Sequence, residues 1–213
     1  GYAAVENGWT KLGFFSEKKD SQSILYGYGF VQGAQAYAKA KEMPAQSVEI
    51  RYAYADKPGN TPENQAVAKE WFQNGTEAIF TIGYELTNGV IAAAEEFGKQ
   101  VIGADVNWSD ASQNVAISAV KHYSQAVQDL IDLSYNEELT GGSTVQRTAA
   151  ENGIALTMDD SHLKNFTRKS YDNLVIALAD DVSGMAADLV NTPAEDGSIG
   201  ASGIVLSEVK VIE

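Results

Sequence analysis

The stretch "IFTIGYELTNGVIAAAEEFGKQVIGADVN", residues 79–107, carries the residue types most able to do chemistry. One apolar run stops at Gly83 and is followed by Tyr84 and Glu85, and a second stops at Asp105. Carboxylates accept hydrogen bonds from hydroxyls or amines, and a tyrosine adds a ring face. Placed at the ends of successive apolar runs, such residues suit recognition of a small polar molecule. Asp105 can also be read as the cap of the turn that follows it. Machinery for turnover is missing: the chain has no cysteine, and neither of its two histidines, His122 and His162, has an acid at metal-ligand spacing. There is no Gly-x-Ser-x-Gly elbow and no phosphate-binding loop, and "YGYGFVQG" lacks the spacing of a dinucleotide fingerprint. The expectation is binding without chemistry, with no cofactor and no metal.

The elements that must position these residues follow from periodicity. "KLGFFS" (11–16) and "SVEIRYAYA" (47–55) predict strands. Residues 21–42 predict a helix whose glycines, Gly27, Gly29 and Gly33, need close packing on a sheet or a ligand to be tolerated. Thr61, Pro62 and Gly75 bracket a further helix as cap, first position and stop. Strand 77–82, helix 86–97 with Gly98 as its stop, and strand 100–104 follow. Repeated strand–helix alternation with short connections predicts an α/β, doubly wound parallel sheet. Ligands of such sheets sit beyond the carboxyl ends of the strands. Four segments share that edge: 16–20, 55–60, 83–86 and 105–110. After residue 113 the rhythm loosens. A strand (114–121), an amphipathic helix (122–139), two short strands around Asn152-Gly153, a long helix (167–190) and one or two edge strands in the tail are expected.

Composition narrows the partners. The 213 residues carry a net charge of −14, with 29 acidic and 15 basic side chains, and no dense basic cluster. Such a surface repels phosphate backbones, which argues against nucleic-acid binding. No window reads as a membrane span or as a signal peptide.

Four segments in order resemble the basic membrane protein family: Gly29-Phe30 with Gly33; Ile79-Phe80 with Asn88-Gly89-Val90; residues 101–108, "VIGADVNW"; and Ser118-Ala119-Val120-Lys121. Members of that family are lipoproteins, similar to type I periplasmic binding proteins, that deliver nucleosides to ABC permeases. The resemblance implies a two-lobed fold in which residues 9–115 form the second lobe. Residues 1–8 and 116–213 would belong to the first lobe and its crossover segments, with the opening half of that lobe absent. It implies a nucleoside-like solute held by hinge closure, a permease partner, and a place on the outer face of the membrane or in the periplasm. Apolar surface left exposed would favour a homodimer. A ligand-sensing regulatory domain of the same fold is the alternative.

The resemblance also assigns roles. Asp105 matches an acid that accepts from ribose hydroxyls, and Lys121 a lysine that reaches the ligand. Phe80 is a candidate for stacking on a base, although it lies within an apolar strand. Tyr84 and Glu85 replace two glycines of the family pattern, and Asn107 and Trp108 replace an Asp-Gln pair, so contacts there differ from the family's. Tyr26, at the start of the Gly-rich helix, is a further candidate, for packing or for ligand contact.

Overall fold

The computed structural model describes residues 1–213 apart from Ser143 and Gln146. Helix α1 (Tyr2–Glu6) precedes β1 (Lys11–Ser16), α2 (Ser21–Ala40), β2 (Val48–Tyr54), α3 (Pro62–Gln73), β3 (Ala78–Ile82), α4 (Tyr84–Phe97) and β4 (Gln100–Asp105). Then come β5 (Val115–Lys121), α5 (Tyr123–Tyr135), β6 (Ile154–Leu156), α6 (Arg168–Ala179) and β7 (Val209–Ile212).

The starts and stops obey local chemistry. Asp20 caps α2 by accepting from the Ser23 amide at 2.8 Å, and Thr61 caps α3 with Pro62 next in line. Gly98 ends α4 in the left-handed conformation (φ 61°), where a side chain would be strained. Helix α4 begins two residues earlier than the periodicity indicated, directly at Tyr84 after Gly83.

The strands form one seven-stranded sheet in the order β6-β5-β4-β3-β1-β2-β7. Every neighbouring pair is parallel except β5–β6. Strands β1 to β5 thus have the doubly wound order 2-1-3-4-5, with the chain leaving β1 in opposite directions towards β2 and β3. Alternate side chains feed two cores. Leu12, Phe14, Ile50, Tyr52, Phe80, Ile102 and Ile117 pack under α1 and α2, against Tyr28, Val31, Ala34 and Ala38. Phe15, Ile79, Val101 and Val115 pack under α3 and α4, against Trp71, Phe72, Leu86 and Val90. All five residues of β3 are buried, as a strand covered on both faces requires. The α2 glycines divide: a Cβ on Gly27 would lie 2.0 Å from the Tyr52 hydroxyl, and one on Gly33 3.0 Å from the Tyr2 nitrogen, so both permit close packing. Gly29 meets nothing within 4 Å, and no contact explains it.

The second half departs from the periodicity in several places. The sheet shows no break at residue 115: β5 pairs with β4, and β7 pairs with β2 at the opposite edge. Of the two strands expected around Asn152-Gly153, the described residues form one, β6, which pairs with β5, and the other expected strand includes Gln146, which lies outside the described residues. The long helix stops at Ala179, well short of residue 190; Asp181 is left-handed (φ 49°) and a short 3-10 turn, Val182–Gly184, follows. The run of Asp180 and Asp181 at that point adds negative charge to a helix C-terminus, where it is unfavourable. Helix α5 is amphipathic, yet none of its residues is buried. Its apolar stripe of Tyr123, Val127, Leu130 and Ile131 is 43–55% exposed.

Candidate functional site

Parallel strands deliver their carboxyl ends to one rim, and at the ends of β4 and β5 three predicted residues meet. Lys121 Nζ lies 2.6 Å from Asp105 Oδ1. The Tyr26 hydroxyl, carried one turn into α2, donates to the same oxygen at 3.1 Å. The register explains the meeting: Asp105 pairs with Val120, so the next residue on β5 brings a lysine beside the acid. Helix α2 crosses the same face of the sheet and supplies the tyrosine.

Asp105 adopts φ +67°, a left-handed conformation that L-residues other than Asn and Asp rarely accept. The strand therefore ends abruptly at the acid. Gln22, one helical turn before Tyr26, brings its amide to within 3.5 Å of Asp105 Oδ1. All three donors converge on Oδ1, and among the described residues no hydrogen bond reaches Oδ2. With the Asp105 side chain 32% exposed, the carboxylate is anchored by one oxygen while the other is free to accept from a solute.

Aromatic rings surround the cation. Lys121 Nζ lies 5.1 Å from the Tyr26 ring centre and 6.0 Å from that of Tyr123, the first residue of α5. Burial raises the Tyr26 phenol well above its usual range, and the charge and hydrogen bond of Asp105 raise it further. Tyr26 is thus a permanent donor to the carboxylate at any ordinary pH.

The other predicted residues are placed differently. Phe80 is 4% exposed and lies among Phe14, Phe30 and Tyr26, with centroids 5.2–5.9 Å away. Its position in β3, covered on both faces, makes it a core residue beneath the cluster, with no open face for a base. Tyr84 and Trp108 pack against each other with tilted rings 5.1 Å apart, but towards the α4 face, across the sheet from Tyr26. Trp108 is buried over Gly103, donating its indole N–H to the Ala104 carbonyl at 3.0 Å and its amide to Ser118 Oγ at 3.1 Å. Tyr84 remains 66% exposed. The Asn107 amide donates to Asp160 Oδ2 at 2.7 Å, tying the loop after β4 to the segment beyond β6. Glu85 is exposed in the first turn of α4.

Gln22 and Tyr123 were not anticipated. Gln22 could have been found from its four-residue spacing to Tyr26 on a helix, and Tyr123 from lying two positions after Lys121. The histidines serve the backbone: His122 Nδ1 meets the Asn152 carbonyl at 2.8 Å, and His162 Nδ1 the Val115 carbonyl at 3.1 Å. Among the described residues no group of His, Asp or Glu is arranged to hold a metal ion, and no helix is long and apolar enough to cross a membrane.

The profile of the Bmp family, described as "ABC transporter substrate-binding protein PnrA-like", matches residues 9–181, a span that includes the whole cluster. The chain belongs to this family. No curated protein matches it significantly. Among solved structures it is similar to an ABC transporter solute-binding protein from Aeropyrum pernix K1 (TM-score 0.60, 18% identity) and to another from Conexibacter woesei (TM-score 0.61, 16% identity). It is also similar to a transcriptional activator of the comK gene from Bacillus halodurans (TM-score 0.65, 15% identity). Each alignment covers 84% of this chain, whereas the chain spans only 56%, 61% and 62%, respectively, of those proteins. At these identities the likeness concerns the fold, a mixed α/β architecture with a mostly parallel sheet.

Proposed function

We infer that this chain is the solute-contacting part of an extracytoplasmic binding protein serving an ABC importer, and that it binds without catalysing a reaction. The observation that carries the reading is the Asp105 carboxylate at the strand rim, fixed through Oδ1 by Lys121, Tyr26 and Gln22, with no hydrogen bond to Oδ2 among the described residues. A fixed carboxylate with a spare oxygen accepts strongly from a sugar hydroxyl, and the neighbouring ammonium neutralises the charge that binding would bury. The solute that fits is a nucleoside or a similar polyol-bearing molecule. Its capture would come from closure of two lobes around it, with the closed form docking on the permease. The protein would work at the outer face of the membrane, lipid-anchored, or in the periplasm. A homodimer would use the apolar stripe of α5.

Half a cleft binds weakly, so the isolated 213-residue chain should bind inosine with an affinity weaker than micromolar. Amide chemical shifts followed by NMR during an inosine titration should move at Tyr26, Asp105 and Lys121. Micromolar binding would refute the two-lobe reading. Shifts elsewhere only, or none up to the solubility limit of inosine, would refute the site.

A second reading keeps the site and changes its consequence: a ligand-sensing regulatory domain, as the fold shared with the comK activator suggests. A DNA-binding helix-turn-helix encoded in the same gene decides for it, and a lipid-modified cysteine decides for transport.

A further inference from the structure

Beyond the charged cluster, we propose that Tyr123 is the aromatic wall of the solute site and sets its preference for a solute carrying a planar ring. The proposal rests on the Asp105 reading above and names which part of the solute this residue would recognise.

Of the rings beside the ends of β3, β4 and β5, all but one are already engaged. Phe80 is enclosed by three other aromatic side chains. Tyr26 is edge-on to Phe80 and spends its hydroxyl on Asp105. Tyr84 and Trp108 face the other side of the sheet and are occupied with each other. Tyr123 remains. Its side chain is 55% exposed, and its ring centre lies 6.0 Å from Lys121 Nζ. The same ammonium is 2.6 Å from Asp105 Oδ1. The ring and the acid are therefore separated by no more than these two distances combined, a gap that one sugar and its attached base can span. A half-exposed tyrosine at that distance offers a π face to the base while Asp105 takes the hydroxyls. Helix α5 buries none of its residues, and Tyr123 lies two positions after Lys121, the last residue of β5, so the strand end positions it. Because the ring contributes nothing to the core, replacing it should leave the fold intact.

The test compares inosine with ribose, by NMR titration of the wild-type chain and of Tyr123→Phe and Tyr123→Leu. Tyr123→Phe should keep inosine affinity within about twofold, because the ring face is retained. Tyr123→Leu should weaken inosine about tenfold, the scale of one lost base–aromatic stack, and leave ribose within about twofold. Equal weakening of inosine and ribose would overturn the proposal, because Tyr123 would then act through Lys121. Unchanged inosine affinity in Tyr123→Leu would overturn it while leaving the Asp105 reading in place. Failure of wild-type chain to bind either molecule would remove both.

Discussion

Asp105 combines a costly backbone conformation with favourable side-chain contacts, and two substitutions separate them. Asp105→Ala removes the contacts and keeps a Cβ at φ +67°. Asp105→Gly removes the same contacts and relaxes the backbone. The ion pair with Lys121 is 22% and 32% exposed on its two sides, between the surface and buried limits, so its loss costs about 1–2 kcal/mol. The Tyr26 hydroxyl loses its acceptor, for about 1 kcal/mol more. Alanine should therefore destabilise the chain by about 2–3 kcal/mol. Glycine should be milder than alanine by about 1 kcal/mol, the left-handed penalty less the extra freedom glycine gains on unfolding. Urea unfolding followed by circular dichroism resolves this difference. With an m-value of about 2 kcal/mol/M, the glycine midpoint should lie about 0.5 M above the alanine midpoint. Both variants should also lose the inosine-induced shifts. If glycine is as destabilising as alanine, or more so, the strand does not end in a left-handed residue and the geometry assigned to the acid is wrong.

Two further outcomes follow from the packing and the caps. Phe80→Ala should cost about 3–5 kcal/mol in urea unfolding, since the ring is core, whereas a ring reserved for ligand stacking would lose far less. Asp20 has a carboxyl pKa held below its ordinary 3.8, first by the hydrogen bond from the Ser23 amide. A depressed acid contributes stability above its unfolded pKa and loses it as pH falls through the lower, folded value. Asp20→Ala should therefore be about 1 kcal/mol less stable than wild type at pH 7, with the gap closing below about pH 3.8, as compared by urea midpoints. A gap that persists in acid would mean that the cap acts through something other than its charge.

The local punctuation of the first 115 residues was legible because each signal has a short-range cause. Thr61-Pro62 starts a helix through one side-chain bond and a fixed φ, and Gly98 stops one because it tolerates a positive φ. The buried run 78–82 could only be a strand covered on both sides. Parallel alternation then placed Asp105 at the shared rim, whereas Lys121 came beside it only because β5 joined the same sheet next to β4. Tertiary structure alone decided which face each side chain served. The register of β4 on β5 and the crossing of α2 put Tyr26 with the charged pair, whereas Trp108 folded back over Gly103 and took Tyr84 to the opposite face. It also decided that β6, after Asn152-Gly153, took β5 as its partner. The physical reason is range. Capping and periodicity act within a few residues, whereas register and face depend on contacts between segments tens of residues apart, such as Tyr26 with Asp105, that no local pattern encodes.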